Sequence, residues 1–433
     1  MADIFQLVRG MHDILPDEQN FFTIVKKAVR HRCRQSGFRR ISTPILEDSE
    51  IFLRGIGENT DLVEKEMYFV QSGEKKLALK PESTAGICRS FLEHGMQSWP
   101  QPVQFYYFEP HFRHDRPQKN RFRQFWQFGV EVLGARDVSI DAQVILLATK
   151  ILDDLKILDR FSLQINSIGS HESRKNFESE LQNFFLGRER GLCNDCRNRI
   201  HKNPMRILDC KNEDCQILSK LAPKISDFLD NDSKKFFQEL KKILENLGIK
   251  FHENPNLVRG LDYYCDTVFE FWDKSLGAQN AVGGGGRYDY LIETLGGTKT
   301  PGFGFAFGVE RIVSHLKNSE ILPPQKDQID IFVAAIGENA KIEAIKILDK
   351  FHDKGIHAIG AMGKNSMRSQ LKMADKFGAK FAILIGEIEV REKTVILRNM
   401  EKGAQKIIPA TKILSAIAEE IDPKNFDLWK IGE

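Results

Sequence analysis

The sequence has few cysteines, no long apolar run and no excess of either charge. Seven cysteines among 433 residues argue for a reducing compartment rather than a disulfide framework. No stretch reaches about eighteen apolar residues and the first residues do not resemble a secretion signal, so we expect a soluble, cytoplasmic protein that does not enter a membrane. The 63 Lys and Arg side chains are nearly balanced by 60 Asp and Glu, which excludes a protein that wraps nucleic acid through its overall charge.

The chain does contain an arginine- and tyrosine-bearing segment ahead of a predicted strand. Residues 268–271 alternate in polarity as a half-buried strand does. Arg259, Tyr263 and Tyr264 therefore stand at the entrance of that strand. The pleat would turn the two tyrosines to opposite sides, one beneath the sheet and one towards a small polar ligand.

A glycine loop follows shortly afterwards. Four consecutive glycines at 283–286 precede Arg287 and Tyr288, and they leave room for a ligand or a second backbone to approach closely. A glycine-rich hairpin with surface tyrosines is the alternative interpretation of both segments.

A cationic segment lies between two aromatic runs. Residues 105–108 and 125–132 predict two strands of an antiparallel hairpin, and residues 111–123 between them carry four arginines and a lysine. Arg113 stands where the first strand ends, and guanidinium groups there could clamp a triphosphate. A solvated cationic loop is the alternative.

Two further patterns suggest ligand contacts. Gln127 and Glu131 are four residues apart in a predicted strand, so both face one side and could accept an ammonium or imidazole N–H. Alone, Glu131 would more often be a salt-bridge partner. Residues 302–308 alternate small and aromatic side chains and lead into a helix that carries Arg311, which alone could be a surface charge.

The last quarter of the chain changes character after a proline-bearing linker at residues 321–328. Strands are predicted at 329–336, 356–359, 380–385 and 394–398, with helices at 339–352 and 366–377. This alternation predicts a small parallel or mixed sheet. A nucleotide-binding domain is the alternative, but no glycine fingerprint follows the first strand.

Taken in order, these stretches resemble the histidyl-tRNA synthetases. The match includes the Arg-Gly-Leu-Asp-Tyr-Tyr run from Arg259, the Gly-Gly-Arg-Tyr loop ending at Tyr288, the cationic hairpin (motif 2) and the strand ahead of Arg311 (motif 3). The resemblance implies an α+β fold of the class II synthetases, an antiparallel sheet flanked by helices. It implies a catalytic core at 1–320 with a helical insertion at about 170–250, and an α/β anticodon-binding domain at 329–433.

The resemblance also assigns roles to residues. Arg113 and Arg259 would be catalytic, with Arg259 standing where related synthetases bind a metal ion. The histidine-binding set is Glu82, Ser83, Thr84, Arg113, Gln127, Glu131, Arg259, Tyr263, Tyr264 and Tyr288. The ATP-binding set is Arg113, Asp115, Arg121, Phe125 and Arg311, with Asp115 where the family often has glutamate. Glu131 would accept the imidazole N–H and Tyr264 would donate to the other nitrogen, which rejects amino acids that cannot pair.

The implied reaction is the activation of L-histidine by ATP with Mg²⁺, followed by transfer to the 3′ end of tRNA-His. A homodimer is implied too, with an interface formed by a helix predicted from Asp17 to Ser36 and a strand in the segment 38–45 that ends at Pro44. One alternative is an inactive, synthetase-like regulatory subunit of ATP phosphoribosyltransferase, although the chain keeps the motif arginines and the C-terminal segment. Another is a tRNA-sensing module of a kinase, but no kinase motif is visible.

The insertion holds most of the cysteines and is implied to contact the tRNA acceptor end. Cys193, Cys196, Cys210 and Cys215 could hold zinc, but the second pair is spaced more widely than in a common zinc knuckle. Reduced thiols are therefore expected, and no metal ligand is assigned. Anticodon contacts are expected from exposed basic residues, with Arg391, Lys393 and Arg398 as candidates.

Overall fold

A computed structural model describes residues 5–57, 60, 62–115, 121–274, 281–319, 329–360, 363 and 366–418. The chain forms two compact units, Met1–Pro324 and Gln325–Glu433. The predicted linker at 321–328 lies outside the described residues. No helix in the described ranges is long and apolar enough to cross a membrane.

Helices of the first unit flank its sheets. They are α1 (Pro16–Gln35), α2 (Ser49–Ile56), α3 (Thr84–Glu93), α4 (Val138–Asp154), α5 (His171–Phe185), α6 (Asn194–Lys202), α7 (Glu213–Lys220), α8 (Asn231–Asn246), α9 (Leu291–Thr294) and α10 (Val309–Lys317). The predicted first helix is confirmed: Pro16 occupies its first turn, which has no need of the proline's missing N–H. Its apolar side chains, including Val25 and Val29, are buried against the large sheet.

The strands of the first unit form two sheets. They are β1 (Arg39–Arg40), β2 (Leu46–Asp48), β3 (Tyr68–Ser72), β4 (Lys75–Leu79), β5 (Val103–Phe112), β6 (Gln124–Leu133), β7 (Phe161–Ser167), β8 (Phe251–Glu253), β9 (Cys265–Asp273), β10 (Ala281–Arg287) and β11 (Gly302–Gly308). In the described residues the large sheet has the order β1-β5-β6-β11-β10-β9-β7-β8, and a small sheet has the order β2-β4-β3. The large sheet is antiparallel except at its two edges, where β1 pairs with β5 and β8 with β7 in parallel.

Two predictions about this sheet have different outcomes. The aromatic hairpin is confirmed, since β5 pairs antiparallel with β6 from Val103 opposite Leu133 to Phe112 opposite Gln124. The predicted strand at 38–45 is wrong in extent. Only Arg39 and Arg40 pair with the sheet, because the chain leaves its edge before Pro44, a residue that cannot donate to a ladder.

The predicted helical insertion contains α5 to α8, but these helices do not form one separate body. Helix α8 places Phe237, Leu240 and Leu244 in the apolar core beneath the large sheet. Helices α5 to α7 instead pack with the residues on the other face, including Tyr263 and Tyr264. The insertion is therefore built into the core on both sides of the sheet.

The second unit is a mixed sheet with helices on both faces. Its elements are β12 (Ile331–Ala335), α11 (Glu338–His352), β13 (Ala358–Gly360), α12 (Met367–Lys376), β14 (Phe381–Ile385), α13 (Glu387–Glu392), β15 (Thr394–Asn399), β16 (Gln405–Pro409) and α14 (Ile413–Ala418). The strand order is β13-β12-β14-β15-β16, parallel for the first three and antiparallel for the rest. The predicted mixed sheet is confirmed, and β16 is an addition that the sequence did not indicate.

Candidate active site

A cavity of about 310 Å³ opens on the large sheet of the first unit. One wall is formed by β6, β10 and β11, and another by the loop that contains residues 259–264. It is lined by these residues of the assigned set: Glu82, Thr84, Arg113, Asp115, Arg121, Phe125, Gln127, Glu131, Arg259, Tyr263, Tyr264, Tyr288 and Arg311. Ser83 is not among the described lining residues, because its hydroxyl is turned to His111 at 2.8 Å.

Glu131 is the buried acid of this cavity. It is 1% exposed, accepts a hydrogen bond from the Thr84 hydroxyl at 2.7 Å, and accepts another from the Tyr288 hydroxyl. Burial raises the pKa of Glu131 to about 8, although both hydrogen bonds favour the carboxylate. The Cβ of any residue at position 304 would overlap Glu131, so the small residues predicted in β11 are required for this acid to fit.

Glu82 lies at the start of α3 in the same wall. Its carboxylate accepts from the backbone N–H groups of Thr84 and Ala85, at 2.6 and 2.9 Å. These bonds satisfy donors that the first turn of a helix leaves free. Burial is the largest influence on the pKa of Glu82 and raises it. The side chain is thereby fixed at the edge of the cavity.

The two adjacent tyrosines correct a prediction. Tyr263 and Tyr264 were expected on opposite sides of a sheet, but both line the cavity with their ring centroids 4.7 Å apart. They precede β9 in a turn rather than in a pleated strand, so alternation does not apply to them. Tyr263 also packs edge-on against Tyr288, at 5.7 Å between centroids.

Arg113 is one of the arginines that line the cavity. Its Nε donates to the carbonyl of Pro81 at 2.9 Å, and its guanidinium lies 5.3 Å from the ring centroid of Phe125. Burial lowers its pKa from the usual arginine value. Arg121 and Asp115, both of the assigned ATP-binding set, form an ion pair beside it.

Arg259 enters from the opposite side. Its guanidinium pairs with Glu270 of β9 and lies 5.4 Å from the ring centroid of Tyr264. Burial opposes its charge, but attraction to Glu270 leaves its pKa above the usual value. The Nε atom of Arg259 is buried and has no hydrogen-bond partner among the described atoms. The same holds for Oε1 of Gln127. Such unpaired polar atoms are costly unless a ligand satisfies them.

Arg311 and Glu310 lie at the start of α10. Arg311 donates to the carbonyl of Ala281, and burial together with Arg121 and Arg113 lowers its pKa. Glu310 accepts from the backbone N–H of Trp126 at 2.8 Å, and burial raises its pKa to about 7. Both side chains line the cavity.

Sequence reasoning missed one residue of the cavity. Arg287, beside the assigned Tyr288, is fully buried and pairs with Asp141 and Asp289, so it is structural. Arg206 of the insertion lines the cavity and was not predicted. It lies between the second and third cysteines of the insertion, and its proximity to the loop at 259–264 carries no local sequence signal.

Comparisons with known proteins agree with this geometry. A family model described as histidyl-tRNA synthetase matches residues 10–312, and one described as anticodon binding domain matches residues 330–420. A histidine–tRNA ligase of Dehalococcoides mccartyi is 43% identical over 419 residues, 96% of this chain and 100% of that protein. One from Acetivibrio thermocellus is 42% identical over 413 residues, 95% of this chain and 99% of that protein.

Solved structures give the same result. The apo histidyl-tRNA synthetase of S. aureus matches with a TM-score of 0.77 and 33% identity, over 96% of this chain and 100% of that one. A chain from Bacillus halodurans described as an ATP phosphoribosyltransferase regulatory subunit/histidyl-tRNA synthetase matches with a TM-score of 0.63 and 19% identity, over 89% of this chain and 99% of that one, which shows a shared fold. Since a family model spans most of the chain and full-length relatives exceed 40% identity, the chain belongs to the histidyl-tRNA synthetase family.

Proposed function

We propose that this chain activates L-histidine with ATP and transfers the histidyl group to the 3′ end of tRNA-His. The observation that carries the proposal is the convergence of a buried acid, Glu131, with two motif arginines, Arg113 and Arg259, in one cavity. An acid held by hydroxyl donors suits an imidazole N–H, while the arginines suit a carboxylate and phosphates. The protein would act in the cytoplasm, where charged tRNA is consumed.

In the first step an oxygen of the histidine carboxylate attacks the α-phosphorus of ATP and pyrophosphate leaves. Arg113 and Arg259 approach the cavity from two sides, so one can neutralise the attacking carboxylate and the other the developing charge on the phosphate. Arg121 and Arg311 would bind the leaving phosphates, and Phe125 would stack on adenine. No protein nucleophile is required, because positioning and charge neutralisation suffice.

Histidine would be selected by the polar groups that line the cavity beside these arginines. Glu131, already ordered by Thr84 and Tyr288, would accept the imidazole N–H, and Tyr264 would donate to the other nitrogen. Glu82 would receive the α-ammonium group, and the free Oε1 of Gln127 would accept a further hydrogen bond from it. An amino acid without these groups would leave buried polar atoms unpaired.

Magnesium would accompany ATP. Glu310 fits such an ion, because Mg²⁺ is bound through one or two carboxylates together with substrate phosphates and this carboxylate lines the cavity beside Arg311. When bound, the ion would offset phosphate charge. Arg259 would supply positive charge on the other side of the reacting phosphate.

In the second step a hydroxyl of the terminal adenosine of tRNA attacks the histidyl carbonyl carbon, and AMP leaves. The unit beginning at Gln325 would bind the anticodon, as its family match indicates. Arg391 and Lys393 are exposed there, whereas Arg398 is half-buried, which favours the first two as phosphate contacts.

A homodimer is part of the proposal. The small sheet and its flank expose four large apolar side chains at 37% to 44%, Ile45, Leu46, Phe69 and Val70. Exposed apolar surface of this kind is typical of subunit contacts. We expect the full chain to sediment as a dimer and Leu46→Lys to shift it towards monomer, with Leu186→Lys, a change at an equally exposed leucine of the insertion, leaving the dimer intact.

The proposed reaction is tested by exchange of labelled pyrophosphate into ATP, with each of the twenty amino acids in turn. Exchange with histidine alone is expected. Charging of tRNA-His by the same preparation tests the second step. No exchange with any amino acid would refute the proposal and would favour a regulatory, synthetase-like protein.

A further inference from the structure

Four cysteines of the insertion converge on one point, away from the residues assigned to the reaction. Cys193 precedes α6 and Cys196 lies in its first turn, while Cys210 follows a short 3₁₀ turn and Cys215 lies in α7. Their four sulfur atoms lie within 4.8 Å of one another. The wider spacing of the second pair is therefore no obstacle, since α7 turns Cys215 back towards the first pair.

The distances suit a tetrahedral metal ion. Sulfur ligands at about 2.3 Å from zinc, at tetrahedral angles, stand about 3.8 Å apart, and Sγ of Cys193 lies 3.8 Å from Sγ of Cys210. A disulfide would bring two sulfurs to about 2 Å and leave two thiols behind. The backbone N–H of Cys193 also donates to Sγ of Cys215 at 3.2 Å, a contact that stabilises a thiolate ligand.

A second group of possible metal ligands has its charge balanced by a protein side chain. Cys265, Asp266 and Asp289 also meet, but there Arg136 pairs with both carboxylates. Protein cations already neutralise that cluster. The four insertion cysteines offer only sulfur ligands, and four soft ligands in one place favour zinc over harder ions.

We propose that Cys193, Cys196, Cys210 and Cys215 bind one zinc ion as four thiolates, in a closed structural site. Each thiol releases its proton to solvent as its Zn–S bond forms. With all four positions occupied by protein, the ion has no open position for catalysis. The ion would fasten α6, the chain at 203–210 and α7 to one another.

The chain at 203–210 reaches the active site, which gives the metal a consequence. Asn203 Nδ2 donates to Asp262 at 3.0 Å, and a Cβ on Gly260 would lie 2.9 Å from a guanidinium nitrogen of Arg206. Both contacts are made with the loop that carries Arg259. Zinc would therefore hold this loop in place through the insertion, a consequence for the active site that rests on the proposed function.

The metal content of the full chain tests the site. Protein purified without chelators or nickel resin is expected to contain about one zinc per chain, with four sulfur ligands at about 2.3 Å by X-ray absorption. Three results would overturn the proposal: no zinc in the purified protein and none taken up by the reduced protein, mixed nitrogen or oxygen ligation, or a disulfide within the set after lysis under alkylating conditions.

Variants separate the site from general loss of folding. Cys210→Ser should lower zinc content about tenfold or more, while Cys33→Ser, at a buried cysteine of α1, should leave it unchanged. Cys210→His keeps a zinc ligand and should retain the metal even if the serine variant does not fold. Full zinc content in folded Cys210→Ser would refute the assignment.

Removal of zinc from the folded wild-type chain tests the consequence. Amide exchange at 203–210 should become faster, and the dissociation constant for histidine should rise several-fold while that for ATP stays unchanged. Unchanged amide exchange would refute the fastening role. A chain that binds zinc but shows no histidine-dependent exchange would instead refute the proposed function and leave the metal site standing.

Discussion

At the scale of single residues, the cavity depends on charges held away from water. Glu131 was predicted from its spacing to Gln127, but the sequence could not show that Thr84 and Tyr288 already donate to it. Those partners are the first residue of α3 and the residue that follows β10, which are distant in the chain. Its buried carboxyl is a cost to the fold, and in the proposed function it is also the group that would recognise the imidazole of histidine.

We expect Glu131→Gln to stabilise the chain at high pH. The folded-state pKa of about 8 lies above the ordinary 4.5, so the folded chain holds a proton that the unfolded chain has lost. Wild-type stability should then fall as pH rises from about 5 to 8, and the variant should not share this loss. Urea unfolding of both chains at pH 5, 6.5 and 8 measures it. A constant difference in unfolding free energy across that range would contradict the raised pKa.

Arg259 is the residue whose loss should most affect the first step. Arg259→His removes the guanidinium that would face the reacting phosphate in the proposed reaction, and we expect adenylate formation to fall by about 100-fold or more. ATP binding should persist, because Arg113, Arg121 and Arg311 remain in the cavity. Pyrophosphate exchange and nucleotide titration measure the two effects. Arg54→His, at an exposed ion pair on α2, serves as the control, and wild-type exchange by Arg259→His would remove the mechanism.

At the scale of elements, the glycine strand β10 shows why four glycines stand together. A Cβ at Gly285 would overlap the backbone of β11 at Gly304. We expect Gly285→Ala to cost about 1–3 kcal/mol of unfolding free energy and to lower histidine activation. Gly86→Ala in α3 is the control, because a Cβ there meets only side-chain atoms of Thr43 and Glu47, at 3.4 Å or more. Unfolding in urea measures both variants, and equal midpoints would show that β10 can open without cost.

Elements with a clear hydrophobic period or a motif were predictable from the sequence. Elements whose length or direction depends on residues distant in the chain were not. The aromatic hairpin β5–β6 and the alternating elements of the second unit follow from local patterns. The strand at 38–45 shrank to two residues, because pairing with β5 rather than local propensity sets its length. Tyr263 and Tyr264 share one side because a turn precedes β9. The cysteine cluster closes through α7, which spacing alone did not reveal.

At the scale of the whole molecule, the two units have separate cores. Every described residue that lines the cavity lies in Met1–Pro324, and the second unit has apolar clusters of its own. We expect a chain ended after Pro324 to keep histidine-dependent pyrophosphate exchange close to that of the full chain. Its efficiency in charging tRNA-His should fall by about 100-fold or more, equivalent to about 2.7 kcal/mol of lost binding.

The full chain with Arg391→Glu and Lys393→Glu separates loss of RNA contacts from loss of the unit itself. If the second unit binds tRNA through phosphates, this variant should raise the KM for tRNA, leave the KM for histidine unchanged, and weaken the dependence of binding on salt. Its loss in charging should be smaller than that of the shortened chain. Loss of pyrophosphate exchange in the shortened chain would show that the cavity needs the second unit, which its lining residues alone give no reason to expect.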